Sequence, residues 1–402
     1  ALIGDHPEGK AKAFDITKDE DKLDQLVDDA DLVISLLPYI YHVNVANYCL
    51  KYKKHLVTTS YVSDAMAALD NQAKEAGVIF LNEIGVDPGI DHMGAMKIIH
   101  EVEAAEGKII SFRSYCGGLP APEANTNPWG YKFSWSPRGV VLAARNNGLY
   151  MEDGKEISVP NKKLFASHYK ITVGKQEFEA YPNRDSLSYI KTYGLEGIKT
   201  MYRGTLRNIG WCDTWQAIND LGFLDLEERE DLKGLTLADV MRLLTKAPKD
   251  KNPREAVAEF LELSLDSHVL DKFEWLGLFS EIPAPEENTF LDVLASQLNK
   301  KLLYEENERD MLVLFHEFIA EYPKESRKER ITAAMIDYGF AGGDTSMSRT
   351  VGLPAAIATK MILKGKIKVN GVQVPVIPEI YIPVLAELEE MNIKFEEEKI
   401  AL

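Results

Sequence analysis

The chain has 402 residues, of which 45% are hydrophobic and 27% charged, with a formal net charge of −17. That length accommodates two or three domains with sizeable cores, and the residue balance is that of an ordinary globular protein. The acidic excess argues against a nucleic-acid partner, which selects a basic face, and no apolar run reaches the roughly 18–20 residues of a membrane span, so neither nucleic acid nor membrane is expected as a partner.

In chain order, Lys12–Asp15 reads as a short strand and Asp19–Asp29 as an amphipathic helix with Leu23, Leu26 and Val27 on one side. Asp31–Leu37 is a continuous apolar run, the pattern of a strand covered on both faces. Tyr41–Tyr52 reads as helix and His55–Ser60 as strand. Asp64–Ala76 reads as a helix with Asp64 as N-cap and Gly77 as its stop, and Val78–Leu81 as the next strand. Repeated short βα units predict a parallel, doubly wound sheet that binds ligands beyond the carboxyl ends of its strands. From about Lys108 the pattern changes. Ile109–Tyr115, Lys170–Val173 and Met311–Phe315 read as strands of a mixed α/β domain, and residues 211–304 as a helical insert. The helix expected over Ser346–Lys364 carries Ala355, Ala356 and Ala358 and stops at Gly365; small residues suit close packing on a sheet, so this helix is expected to return to the first domain.

Three strand ends carry the interesting chemistry. Ser35-Leu-Leu-Pro38 closes one strand, where Pro38 ends the ladder. Thr58-Thr-Ser-Tyr61 closes the next with three hydroxyls and a phenol, suited either to local turn groups or to a ligand. Asn82-Glu-Ile-Gly-Val-Asp-Pro-Gly-Ile-Asp-His92 closes the third. Its Gly85 and Gly89 permit positive φ or close approach, and Asp91 reads as a helix N-cap. Glu83, Asp87, Asp91 and His92 match no strong metal motif, so no metal is expected.

Further on, Tyr115-Cys-Gly-Gly-Leu-Pro120 follows a strand, and its paired glycines read as a bulge or a close backbone approach. Cys116 is either a small buried apolar residue or a weak donor in a site. With Cys49 and Cys212 it makes three widely spaced cysteines, which fit a reducing cytoplasm. Arg184 in Tyr181–Ser186 and Arg207 in Arg203–Arg207 lie in segments rich in turn or small residues, where a guanidinium can clamp a carboxylate.

ISLLPY, TTSY, NEIGVDPGIDH, SYCGGLPAPE, YKFSWSPRG, YPNRDS, RGTLR, NERDM and TVGLPAAIATKMIL stand in one order between residues 31 and 363. In these motifs the chain resembles the L-glutamate-forming saccharopine dehydrogenases, and the C-terminal module of aminoadipate semialdehyde synthase. The resemblance implies an enzyme of lysine metabolism. It would join glutamate to 2-aminoadipate 6-semialdehyde as an imine and reduce it to saccharopine with NAD or NADP, or run the reverse. A homodimer is implied as well. So are a Rossmann-like dinucleotide-binding domain from residues 1–92 and 343–402, a substrate-binding and dimerisation domain from 93–210 and 305–342, and the helical insert 211–304.

Residue roles follow from the same resemblance. Asp15, Ile16, Ser35, Leu36, Ile84, Gly85 and Val86 are expected near the dinucleotide. Thr58, Thr59, Ser60, Asp87, Arg184, Thr205, Leu206 and Arg207 are expected on the substrate. Asp87, Tyr61 and Cys116 are the candidates for the proton work at the imine nitrogen, with Asp87 favoured. Rival expectations are a carboxynorspermidine- or opine-type imine-reducing dehydrogenase and a catalytically inactive dimeric scaffold. Asp87, Arg184 and Arg207 together argue against the scaffold.

The resemblance also implies a leading strand, a Gly-x-Gly-x-x turn, a helix and a second strand, about 30–40 residues that would precede Ala1. On that expectation the 402-residue chain binds cofactor weakly or not at all, and the choice between NAD and NADP stays open. Fluorescence titration with NADH and NADPH tests it directly, and micromolar binding contradicts it.

Overall fold

The structure is a computed structural model that describes residues 6–402. The chain divides into two compact units, Ala1–Lys97 with Thr350–Asn392 and Ile98–Arg349 with Ile393–Leu402. Strands β1 (Leu32–Ile34), β2 (His55–Val57) and β3 (Ile79–Leu81) belong to the first unit. The second holds β4 (Lys108–Pro120), β5 (Gly148–Glu152), β6 (Lys155–Val159), β7 (Tyr169–Val173), β8 (Gln176–Pro182), β9 (Thr200–Arg207), β10 (Asp310–Tyr322) and β11 (Arg327–Tyr338). Of the last two strands, β12 (Gly371–Gln373) lies in the first unit and β13 (Glu396–Ala401) in the second.

In the first unit β1, β2, β3 and β12 lie side by side in that order, all parallel. Helices Glu20–Asp29 and His42–Tyr52, before and after β1, lie where their sequence pattern predicts. Glu20–Asp29 sends Leu23 and Val27, and His42–Tyr52 sends Val45, Ala46 and Cys49, onto Leu56 and Phe80, with Met66, Leu69 and Ala73 completing the core. Gly77, at φ 70°, ends helix Asp70–Ala76 in the left-handed conformation that a side chain would resist.

Several local expectations are corrected. Lys12–Asp15 forms no strand; these residues are exposed and pair with no neighbour among the described residues. β1 is partly exposed rather than covered on both faces, because among the described residues it is paired only with β2 and is the edge of its sheet. Ser63, not Asp64, is the N-cap, its side chain accepting from Met66 N, and two short helices, Asp64–Ala67 and Asp70–Ala76, replace the single one expected. Asp91 lies inside the first turn of helix Ile90–Ala104, where its carboxylate accepts the Gly89 N–H.

The second unit is built on a nine-stranded sheet with the order β13-β11-β10-β4-β9-β5-β6, and with β8 joining β9 to β7. The β4–β9 pair is parallel and its neighbours are antiparallel, so the sheet is mixed as expected. The paired glycines of β4 mark a close approach: a Cβ on Gly117 would lie 2.8 Å from both the Cβ and the carbonyl oxygen of Leu206. The register shift of β4 against β10 falls elsewhere, at Ile319–Ala320. Helices Trp211–Asp220, Leu237–Thr245, Pro253–Phe260, His268–Leu276 and Phe290–Lys301 fill the segment read as a helical insert. Their apolar faces enter one core with Trp129, Tyr131, Phe165 and Phe178.

The C-terminal segment departs from its expected place. Helix Ser346–Leu363 brings the chain back to the first unit, where β12 pairs with β3, but Glu396–Ala401 then pairs with β11 in the second sheet. Sequence reading missed β13 because a strand on an outer edge, exposed at every residue, carries no apolar period.

The turn after β3 is the most constrained piece of backbone in the first unit. Gly85 N donates to Pro88 O at 2.9 Å, Ile90 N to Gly85 O at 2.9 Å and Asp91 N to Val86 O at 3.0 Å. Gly89, at φ 148°, lies so close that a Cβ there would meet Gly85 O at 2.0 Å. Gly89→Ala is therefore expected to cost about 3 kcal/mol or more of stability, read as a lowered thermal midpoint and faster proteolysis around residue 89. An unchanged midpoint contradicts this account of the turn.

Candidate active site

The first unit gathers three strand ends. Beyond β1, Ser35 N donates to Val57 O at 2.9 Å; beyond β2, Thr58 N donates to Leu81 O at 2.9 Å; beyond β3, Asn82 N donates to Gln373 O at 2.8 Å. The turns are also tied to one another. Glu83 N donates to Ser60 O at 3.1 Å, and the Glu83 carboxylate accepts Val62 N at 2.9 Å while its other oxygen lies 2.7 Å from His92 Nε2. His92 is fully buried, so this pair fixes the Thr58–Tyr61 turn against the start of helix Ile90–Ala104. Glu83 and His92 are engaged with each other, and among the described residues no group of three His, Cys, Asp or Glu side chains is placed to hold a metal ion.

Asp87 stands at the outer end of this turn, half-buried, and Tyr61 Oη donates to its Oδ1 at 3.3 Å. Ile84, Gly85 and Val86 are buried beneath it. A Cβ on Gly85 would come within 3.2 Å of Thr59 Cβ, so the two turns touch through backbone and a methyl-bearing side chain. Thr58 is buried, while Thr59 and Ser60 are half-buried. Sequence reading overlooked His42. It is buried at the start of helix His42–Tyr52, with Nδ1 2.8 Å from Ser35 Oγ and Nε2 2.8 Å from Ser60 Oγ and 3.2 Å from Thr58 Oγ1. The available signal was a histidine placed a few residues after a hydroxyl-bearing strand end.

Along β1 runs a cleft of about 470 Å³ lined by Phe14, Leu26, Ile34, Ser35 and Leu36. Leu36 is 67% exposed and Ile34 43% exposed beside this cleft. Ile16 packs on the core of this unit. The Asp15 carboxylate instead shapes its own turn, accepting from Thr17 N at 2.9 Å and Thr17 Oγ1 at 2.6 Å, and these bonds hold its pKa below the ordinary 3.8.

In the second unit, Arg207 ends β9 and is only 6% exposed. Its guanidinium lies 5.0 Å from the Tyr131 ring and 5.3 Å from the Trp211 ring, and Nη1 donates to Leu206 O at 2.8 Å. Its Nε, shielded from solvent, has no hydrogen-bond partner. Trp211 is held in turn. Glu179 accepts from Gly210 N at 2.7 Å and Cys212 N at 2.8 Å at the N-terminus of helix Trp211–Asp220, and Lys272 Nζ donates to Gly210 O. Burial lowers the Lys272 pKa, yet nearby Glu179 and Asp213 favour its charged form. None of Tyr131, Trp211, Glu179 or Lys272 was singled out from sequence, because aromatic and charged residues in such segments are usually core or surface.

Cys116 and Thr205 are direct neighbours across the β4–β9 ladder, and Tyr181 faces Thr205 from β8. Arg184 is exposed at φ 53°, its carbonyl accepting Leu149 N at 2.8 Å. Asn183 N donates to Arg203 O, so Arg184 and Arg207 flank a stretch of β9 about 13 Å long rather than forming one pair.

A four-stranded parallel sheet with its polar turns at one edge, joined in one chain to a large mixed sheet carrying helices, defines a Rossmann-like NADP-binding domain followed by a C-terminal α/β domain. Residues 4–81 match the saccharopine dehydrogenase NADP binding domain and residues 85–393 the saccharopine dehydrogenase C-terminal domain. The chain belongs to the saccharopine dehydrogenase family. It is 42% identical to the saccharopine dehydrogenase [NADP(+), L-glutamate-forming] of Schizosaccharomyces pombe, over 99% of this chain and 90% of that protein. It is 42% identical to the enzyme of that name from Saccharomyces cerevisiae, over 95% and 86%. The mitochondrial alpha-aminoadipic semialdehyde synthase of Rattus norvegicus is 37% identical over 94% of this chain, which spans 42% of that longer protein. Among solved structures, the apo saccharopine dehydrogenase (L-Glu forming) from S. cerevisiae superposes with a TM-score of 0.90 at 40% identity, covering 98% of this chain and 89% of that one. A homospermidine synthase from Legionella pneumophila, at TM-score 0.55 and 9% identity, shares the fold alone.

His42 gives this site a pH signature. Burial lowers its pKa from the ordinary 6.5, so as pH falls the unfolded chain takes up a proton there before the folded chain does. The stability it contributes is complete above about pH 6.5 and is lost as the pH falls toward the lower folded value. Thermal melting of His42→Gln between about pH 7.5 and 5.5 is expected to lose stability less steeply than wild type. Parallel curves contradict this.

Proposed function

We propose that the chain interconverts saccharopine with L-glutamate and 2-aminoadipate 6-semialdehyde through an imine, with NADP rather than NAD as hydride carrier. The observation that carries this reading within the molecule is Arg207: a buried guanidinium, braced by two aromatic rings, with an N–H left over. A buried cation in that state is suited to a carboxylate, and saccharopine has three. The motif order and the relatives' names support the same substrate. They also favour it over a carboxynorspermidine- or opine-type amine and over an inactive scaffold.

Ser35, Leu36, Ile84, Gly85 and Val86, with Asp15 and Ile16, are assigned to the dinucleotide. The exposed apolar wall of Leu36 and Ile34 fits its flat rings, and the buried Ile84–Val86 backbone offers a floor. Bound NADPH would supply the hydride for the imine carbon. Thr58, Thr59 and Ser60 are assigned to substrate, with Arg184, Thr205, Leu206 and Arg207 taking its carboxylates. Asp87 is assigned to the reacting nitrogen. An ordinary aspartate is ionised near neutral pH, so its role is to stabilise the positive iminium and then to accept from the secondary amine. The Tyr61 phenol, donating to Asp87, keeps that carboxylate aimed outward, and Cys116 is a weak donor beside Thr205. A homodimer and a reducing, cytoplasmic setting belong to the same reading. No helix among the described residues is long and apolar enough to cross a membrane.

Arg207→Ala is expected to raise the saccharopine KM about 10- to 150-fold, the equivalent of losing one charge-assisted pair, and Arg184→Ala in the same direction. An unchanged KM removes that arginine from the site. Asp87→Ala is expected to lower kcat about 100-fold while changing KM much less. Wild-type turnover in that variant overturns its assignment.

A further inference from the structure

His42 touches hydroxyls from two different strand ends. Ser35 lies beyond β1, on the side assigned above to the dinucleotide; Ser60 lies beyond β2, on the side assigned to substrate. The imidazole stands between them, 2.8 Å from each oxygen, and is 4% exposed. Thr58 Oγ1 also reaches Nε2 at 3.2 Å and accepts the Ser60 N–H at 3.3 Å, which fixes Ser60 toward the ring.

A neutral imidazole has one N–H and one lone pair. It therefore cannot treat its two neighbours alike: the hydroxyl facing the N–H accepts, and the hydroxyl facing the lone pair donates. A ligand that accepts the Ser35 hydrogen turns that oxygen into an acceptor for Nδ1–H. Nε2 then carries the lone pair, and Ser60 donates its hydrogen inward. Its own lone pairs are left for an N–H of a ligand outside. Burial keeps the ring neutral around pH 7, because the charged form is disfavoured there.

We infer that His42 is a positioning residue that couples the two halves of the site, so that a dinucleotide accepting from Ser35 strengthens the binding of an amine-bearing substrate at Ser60, and the reverse. This rests on the proposed assignment of Ser35 and Ser60. Three hydroxyls drawn from two chain segments onto one buried ring are more than a histidine needs for its own two nitrogens. By reciprocity the coupling must be the same from either side.

The test is equilibrium binding with the full chain. NADPH and saccharopine are both reduced partners, so they form a ternary complex that does not react. The NADPH Kd, read by fluorescence titration, is expected to fall about fivefold or more when saccharopine is saturating. In His42→Leu and His42→Phe, whose side chains carry no hydrogen-bonding group to link the two hydroxyls, the two Kd values are expected to agree within about twofold. Ser35→Ala, a smaller change should the His42 variants fold poorly, is expected to abolish the coupling too. Coupling that survives at wild-type size in a folded His42 variant overturns the inference, as does a wild type that binds no NADPH or shows no coupling. If Ser35→Ala weakens NADPH and Ser60→Ala weakens saccharopine while the coupling persists in both, the site assignment stands and only the role of His42 fails. If neither variant weakens its own ligand, the assignment fails and the inference falls with it.

Discussion

Strands β1, β2 and β3 of the first unit each pass the next backbone N–H to the neighbouring strand: Ser35 to Val57, Thr58 to Leu81, Asn82 to Gln373. This staircase carries the ladder one residue beyond each short strand and makes the chain leave the sheet at three adjacent points. Everything polar in this unit's candidate site depends on it. The ladder brings hydroxyls from separate βα units within reach of one imidazole. It also sets the Asn82–His92 turn against Thr58–Tyr61, so that Glu83 can hold both a backbone N–H and a buried histidine. A strand slipped by two residues would keep its apolar face inward yet scatter these groups.

The parts of the fold legible in sequence are those where burial writes a period. Short apolar runs mark β2 and β3, and a glycine at φ 70° marks the end of helix Asp70–Ala76. Strand β1 was legible as a strand but not as an edge, because position in a sheet is a property of the partners. The expected strand at Lys12–Asp15 had the residues but, among the described residues, no strand to pair with. β13, with three consecutive glutamates, had a neighbour but no pattern. Of the candidate site, the motif segments themselves were legible. Their support was not: the contacts of His42, the Glu83–His92 pair and the Trp211–Glu179–Lys272 brace join residues whose pairing no apolar period or turn signal records.

A chain of net charge −17 that handles a tricarboxylate meets a physical conflict, and the second unit shows how it is managed. Long-range repulsion is screened within about a Debye length, whereas a desolvated guanidinium acts at short range where screening fails. Arg207 is placed accordingly, against two adjoining aromatic rings that accept a cation without neutralising it. A carboxylate partner from the protein itself would have used up its capacity.

The first unit is not contiguous in sequence. β3 ends at Leu81, while β12, which covers its other edge, comes about 290 residues later. During synthesis at roughly 5–20 residues per second, the nascent β1–β3 sheet therefore waits tens of seconds with one long side unpaired. Bare strand edges invite pairing with the wrong chain. The interval between Leu81 and Gly371 thus makes translation speed, and any chaperone that shields β3 in the meantime, part of what determines the yield of folded protein.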